Sequence, residues 1–246
     1  MTRFDGMMAE SIADAGGAPA VVVFDEVGST MDEAHRLAER GAADGTAVIA
    51  DVQTAGRGRH GRRWISACGA GLWMTVIHRG VDIPGLDVLS LRIGLALAPA
   101  LEPYAADRVM LKWPNDLFVR GRKLAGILVE ARWREAAVEW VAVGIGVNVV
   151  APADQPQATG LSAAVARGHL AAMLLPAVRA ACRATGPLTN DEMMAFSSRD
   201  AVRGARLVEP APGVARGITA DGSLLVEGAD GTKEFRRGSV VFASEA

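Results

Sequence analysis

Residues 53–64 read Gln-Thr-Ala-Gly-Arg-Gly-Arg-His-Gly-Arg-Arg-Trp, three glycines and four arginines in a short stretch. Glycine lets backbone approach a ligand closely and adopt positive φ, and arginine presents an always-charged planar fork matched to carboxylate or phosphate oxygens. Such a loop is built to hold an anion. Gly56, Gly58 and Gly61 would shape it, and Arg57, Arg59 and Arg62 would supply charge. An Arg/Gly run is also the mark of a disordered RNA-binding tail or of a solvated turn. Here it lies between two apolar runs, 46–52 and 72–77, that read as buried strands, so it is expected to be a loop between strands.

Four further groups carry chemistry. Lys112-Trp-Pro-Asn-Asp116 is a turn by its Pro and Asn/Asp content, and Lys123-Leu-Ala-Gly-Ile-Leu-Val-Glu130 follows it closely. Only three of the 26 basic residues are lysine, at 112, 123 and 233. Two of them fall in these motifs, where a compact ammonium does what a guanidinium does not. Ser29-Thr30 and Gly144-Ile-Gly-Val-Asn148 complete the set. Hydroxyls, amides, cations and one carboxylate make up the inventory of a phosphoryl site. The cations neutralise phosphate, Asp116 holds Mg²⁺ or takes a proton, and Asn115 positions a ligand. Each motif alone is weak: Ser29 and Thr30 could serve only as helix caps, and Trp113 is expected in the core.

Composition narrows the class. A chain of 246 residues, 50% hydrophobic, holds one large domain or a domain with a small appendage. A net charge of −2 makes the Arg/Gly stretch a local site and not part of a basic nucleic-acid face. Cys68 and Cys182 form no metal-ligand spacing or disulfide framework, as suits the cytoplasm. No apolar run is read as reaching the ~20 residues that span a bilayer, so no membrane association is expected.

The elements that must position these residues follow from periodicity. Residues 1–18 read as a short helix or frayed end, 20–27 as a first strand, and 30–40 as a helix opened by a Thr30/Glu33 capping box. A helix broken near Pro99 or Pro103 is expected over 87–104, strands over 108–113 and 140–150, and a hairpin through 117–130. Residues 152–160 form a Pro-containing loop of the kind that orders over a ligand. Helices follow over 162–185, with Leu170, Met173, Leu174, Ala177 and Val178 as core, and over 191–199. From about residue 200, short strands alternate with Pro212-Gly213, Asp221-Gly222 and Asp230-Gly231 turns, a small all-β unit. The expected class is α+β: a mixed, largely antiparallel sheet with helices on one side.

In their order, Ser29-Thr30, the 53–64 stretch, Lys112-Trp-Pro-Asn-Asp116, Lys123-Leu-Ala-Gly126 and Gly144-Ile-Gly-Val-Asn148 resemble the biotin protein ligase family. The resemblance spans 24–148. It implies the class II synthetase-like catalytic fold over 1–198 and a C-terminal SH3-like β-barrel over 199–246. It implies biotin binding by Ser29, Thr30, Gln53, Gly56, Arg57, Gly58, Arg59, Lys123 and Gly126. Nucleotide binding is implied for Arg57, Arg59, Arg62, Trp64, Lys112, Asn115, Lys123 and Asn148. Catalysis falls to Lys123, Asp116 and Arg57, with Mg²⁺ at Asp116. His60 stands at a variable position and takes no role, and Met31 replaces an asparagine common in the family, which removes a side-chain hydrogen bond to biotin.

The implied reaction activates biotin with ATP to biotinyl-5′-AMP and pyrophosphate, then transfers biotin to a lysine of a biotin carboxyl carrier domain. The chain would be a monomer or homodimer. About twenty residues precede the first strand, so the winged-helix domain of some members, and DNA binding with it, is not expected. The rival readings are a lipoate or octanoate ligase or transferase of the same superfamily, and a nucleic-acid-binding module using the Arg/Gly loop.

Overall fold

The computed structural model describes residues 2–243; Met1 and residues 244–246, over which the two terminal expectations extend, lie outside the described residues. The N-terminal stretch forms a two-stranded ribbon, β1 (Arg3–Phe4) and β2 (Met7–Met8), before helix α1 (Ala9–Gly16). Next come β3 (Val21–Val27), α2 (Thr30–Glu39), β4 (Ala47–Gln53), β5 (Gly71–His78), α3 (Ile83–Leu101), β6 (Met110–Lys112), β7 (Asp116–Val119), β8 (Arg122–Arg134) and β9 (Ala137–Asn148). Helices α4 (Arg167–Arg183) and α5 (Asn190–Arg199) lead to the strands β10 (Arg206–Glu209), β11 (Gly213–Ile218), β12 (Leu224–Gly228), β13 (Gly231–Phe235) and β14 (Val241–Phe242).

Seven strands form one sheet in the order β3-β4-β5-β9-β8-β7-β6. Only β3 and β4 pair in parallel, with α2 as their crossover; every other pairing is antiparallel. This is the mixed, largely antiparallel sheet read from the sequence. The last five strands make a separate antiparallel sheet, β13-β12-β11-β10-β14. The short connection at Arg120 and Gly121 joins β7 to β8 with φ of 49° and 73°, the left-handed pair that a tight hairpin needs.

Several expectations are corrected. Helices cover both faces of the large sheet, because strand side chains alternate and both sets are apolar over part of their length. Residues of α1, α3 and α4 share one core cluster with Ile49, Leu72, Met74, Val143 and Ile145. On the opposite face α2 packs Met31, Ala34 and Ala38 against Val48, Ile77, Trp140 and Ala142. The cap of α2 is Ser29, whose Oγ accepts from Met31 N at 3.3 Å; the hydroxyl of Thr30 is engaged elsewhere. Helix α3 begins earlier than read, at Ile83 behind an Asp82 cap, and continues through Pro99. That helix, with the turn that follows, is long and apolar enough by length and composition to cross a membrane, against the sequence reading. Its apolar side, including Val88, Leu89, Ile93 and Leu97, is instead buried in the core. Helix α4 starts at Arg167, later than read, and α5 is opened by a Thr189/Glu192 capping box.

Trp113 is buried as expected, and its Nε1 donates to Gly222 O at 2.8 Å, tying the turn after β6 to the C-terminal sheet. Arg92, only 4% exposed, bonds Glu192 and the carbonyls of Ala184, Gly186 and Pro187, so α3 is joined to the start of α5 through one guanidinium.

Candidate active site

The part of the sheet that α2 leaves uncovered is the floor of a cleft of about 530 Å³. Its floor is open because of glycine. A Cβ at Gly146 would lie 2.6 Å from the Trp64 ring, so the indole can lie over this strand only where there is no side chain. Gly126, paired with Gly146 across β8 and β9, brings the same ring within 3.0 Å of its Cβ position. Trp64 meets Trp73 edge-on at 6.2 Å, and the indole N–H of each is buried without a hydrogen-bond partner among the described residues. Buried donors of that kind cost free energy until an acceptor reaches them.

At the start of α2 a polar cluster borders the cleft. Gln53 Oε1 accepts from Thr30 N at 2.9 Å and from Thr30 Oγ1 at 3.0 Å, while Gln53 Nε2 donates to Ser66 Oγ at 2.8 Å. Thr30 Oγ1 also lies 2.8 Å from Thr75 Oγ1 on β5. The end of β4, the N-terminus of α2 and the middle of β5 are therefore fixed to one another by side-chain hydrogen bonds, a preorganised edge with the helix N-terminus turned to the cleft.

The Arg/Gly stretch is a loop between β4 and β5, as read. Gly56 permits its closure: a Cβ there would stand 2.6 Å from Trp64 O. Gly58 N donates to Arg62 O at 2.7 Å and Trp64 N to Gly56 O at 2.9 Å, so the loop folds back on itself. Its arginines are committed to different parts of the molecule. Arg57 is bound by Asp32 of α2 and by Glu130 of β8, the latter at 3.2 Å. Burial opposes the Arg57 charge, but the hydrogen bond to Asp32 and the charge of Glu130 outweigh it and raise its pKa. Behind Glu130 stands His35. Trp140 Nε1 donates to His35 Nδ1 at 3.0 Å, which leaves Nε2 to carry the proton and donate to Glu130 at 3.2 Å. That bond, ahead of the opposing burial and the favourable Arg57 charge, holds Glu130 below the usual carboxylate range. Arg59 reaches Asn115 Oδ1 at 3.1 Å and Gly238 O at 3.0 Å.

Two lysines face the same cleft. Lys123 Nζ is 2.8 Å from Asp116 Oδ1 and 5.1 Å from the Trp64 ring centroid. The ammonium sits at ion-pair distance but off hydrogen-bond direction, so Asp116 Oδ1 keeps a buried lone pair without a hydrogen bond. Backbone holds Lys123 on both sides: its N donates to Gln157 O and its O accepts from Thr159 N, each at 2.8 Å. The loop over 152–160 is thus tied to β8, and its Gln155, Gln157 and Ala158 line the cleft. Burial lowers the pKa of Lys112, opposed by the charge of Asp116 and aided by Lys123 and Arg62.

Of the residues singled out in the sequence, Ser29, Thr30, Gln53, Arg57, Gly58, Arg59, Arg62, Trp64, Lys112, Asn115, Asp116, Lys123 and Gly126 line this one cleft. Gly56 and Asn148 stand outside its lining: Gly56 acts in the loop's closure, and Asn148 is buried with Nδ2 3.4 Å from Lys123 O. The sequence reading did not single out Trp73, Thr75, Asp32, Gln157 or Phe242. Thr75 carried a signal, a lone polar residue within an apolar strand. Phe242 carried none, since it reaches the cleft only through the packing of the C-terminal sheet.

Residues 23–148 match the Biotin/lipoate A/B protein ligase family. The chain is 35% identical to the biotin--[acetyl-CoA-carboxylase] ligase of Mycobacterium tuberculosis, over 88% of this chain and 86% of that protein. It is 34% identical to the bifunctional ligase/repressor BirA of Escherichia coli, over 87% of this chain and 70% of BirA. With BirA of Bacillus subtilis the identity is 43%, but there the chain spans about two fifths (40%) of the relative's length. Among solved structures, the biotin protein ligase of Aquifex aeolicus in complex with biotin and ATP superposes with a TM-score of 0.73 at 26% identity, covering 91% of this chain and 98% of that one. The cleft residues fall mostly within the matched segment, and the chain belongs to the biotin/lipoate A/B protein ligase family.

Proposed function

We propose that this protein is an ATP-dependent biotin protein ligase. The observation that carries the reading is one cleft in which a glycine floor under Trp64 separates no element of the inventory: the Thr30–Gln53–Thr75 cluster, two lysines and four loop arginines all border it. A site joining a carboxylate to a nucleotide must hold two anions that repel each other, and these cations offset that repulsion. In the first step the biotin carboxylate attacks the α-phosphorus of ATP and pyrophosphate leaves. Lys123, Arg59 and Arg62 stabilise the charge that builds on phosphate, and Lys112 and Asn115 hold the nucleotide. In the second step the neutral ε-amine of a lysine on a biotin carboxyl carrier domain attacks the mixed anhydride, and AMP leaves.

Asp116 fits Mg²⁺, which takes one or two carboxylates and completes its shell with phosphate oxygens and water. The buried lone pair on Asp116 Oδ1 suits that role, and the ion, when bound, would neutralise phosphate charge. The same carboxylate is the candidate acceptor for the amine's proton. Asp116→Asn distinguishes the two: altered Mg²⁺ dependence of pyrophosphate exchange marks the metal role, and loss of transfer from preformed biotinyl-AMP marks the base. The chain would divide into a catalytic part over 1–198 and an SH3-like part over 199–246; the five-stranded antiparallel sheet supports the second. The free thiols of Cys68 and Cys182 fit a cytoplasmic site of action.

The test is incubation with MgATP, a purified biotin carboxyl carrier domain and either biotin or lipoate, read by mass spectrometry. A mass increase of one biotin on the acceptor is expected. Modification by lipoate alone, or none by biotin, refutes the proposal.

A further inference from the structure

Of the cleft's cations, Lys123 is paired with Asp116, and Arg57 is paired with Asp32 and Glu130. Lys112, at the end of β6, has no carboxylate within ion-pair distance among the described residues. Its ammonium lies instead 5.2 Å from the ring centroid of Phe118 on β7 and 4.7 Å from that of Phe242 on β14. Both rings line the cleft with it. Phe242 is a large apolar side chain left 41% exposed, so core packing does not account for its place.

Charge explains what burial does not. Lys112 is half-buried, pairs across β6 and β7 with Asp116, and stands near two other cations, Lys123 and Arg62. A carboxylate in direct contact would cancel the charge that a phosphate needs. An aromatic face attracts the ammonium and leaves its formal charge unspent. We propose that Phe242, contributed by the C-terminal sheet, is a positioning residue that acts through Lys112, holding its ammonium in place for the phosphates of the nucleotide. The site would then be completed by the C-terminal sheet, which is anchored beside it by the Arg59 bond to Gly238 O and the Trp113 bond to Gly222 O. The assignment rests on the ligase reading for the identity of the nucleotide, and on the geometry alone for the contact.

The test compares Phe242→Leu, which keeps apolar bulk without a π face, with Phe242→Tyr, which keeps the face. In biotin-dependent pyrophosphate exchange, Phe242→Leu should raise the KM for ATP about twofold to fivefold, the range of an exposed cation–π contact, with smaller changes in kcat and in the KM for biotin. Phe242→Tyr should restore it. Because the chain has three lysines, NMR of protein labelled at lysine Cε resolves Lys112 directly. Phe242→Leu should remove part of its ring-current shift, with Lys123 and Lys233 unmoved. An unchanged Lys112 signal overturns the contact. A changed signal with equal ATP KM in the Leu, Tyr and wild-type proteins overturns the nucleotide role. Absence of biotin-dependent exchange in the wild type refutes the ligase reading instead, and the NMR arm still decides the contact.

Discussion

Successive residues of β5 and β9 go to opposite faces of one sheet, and the two faces have been put to opposite uses. On one, Leu72, Met74 and Val76 meet Val141, Val143, Ile145 and Val147 in a core closed by α1, α3 and α4. On the other, the alternate residues are Trp73, Thr75, Gly144 and Gly146, and α2 covers the end nearer Ile77 and Trp140, reaching Gly144 with Met31 and Thr75 with Thr30. The first face buries volume at every position. The second spends two positions on glycine and one on a hydroxyl, and gains a cleft with polar groups at its edge. The lesson is that a binding floor can be built on a strand whose reverse side carries the stability, because side-chain direction has period two and the two faces are chosen independently.

The largest expected effect lies on the cleft side. Lys123→Ala should lower biotin-dependent pyrophosphate exchange by about 10²–10³-fold, as for loss of a charge-stabilising donor, with little change in the urea midpoint; unchanged exchange would remove Lys123 from the chemistry. Next, Gly146→Val places side-chain atoms where the Trp64 ring lies. Overpacking of about 1–3 kcal/mol should appear as a roughly tenfold to hundredfold loss of biotin affinity by calorimetry. The matched change on the reverse face, Leu72→Ala, should cost about 2–5 kcal/mol of folding stability and leave biotin affinity near wild type. If the two variants behaved alike, the division of labour between the faces would be wrong.

A smaller effect tests the packed side through pH. Glu192 is held below the usual carboxylate range, chiefly by its hydrogen bonds from Arg92 and against the pull of burial. Its ionised form therefore favours the folded state. That contribution is complete above the ordinary carboxylate value, about 4.3, and is lost as pH falls through the lower folded value. Glu192→Gln should be about 1–2 kcal/mol less stable than wild type at pH 7, and the gap should close on titration toward pH 3; a gap that persists in acid would rule out the charge as its source. The smallest effect concerns thiols. Cys182 is buried and its pKa is pushed up to about 12, chiefly by that burial, whereas Cys68 is exposed. A thiol reagent at pH 8 should modify one cysteine in the native protein and two after unfolding.

Much of this site was legible in the chain. The Arg/Gly stretch, the Lys112–Asp116 turn and the Lys123 motif were read as neighbours, and they line one cleft. Local chemistry was enough there, because loop glycines and turn residues act within a few positions of themselves. Reading failed where a residue's partner is remote. Arg57 lines the cleft, but no local pattern reveals that it is paired with Asp32 and Glu130, which stand 25 and 73 positions away. The capping box at Thr30 failed for a related reason: Gln53 and Thr75 compete for its hydroxyl and leave the cap to Ser29.

The sequence by itself determined the strand and helix periods, the hairpin turns and the set of charged groups, since these follow from side-chain type and short-range spacing. Which face α2 covers, which arginine meets which carboxylate, and the arrival of Phe242 beside Lys112 were decided only in three dimensions. Those contacts join segments far apart in the chain, and their energies arise from burial and distance that exist only once the sheets have packed.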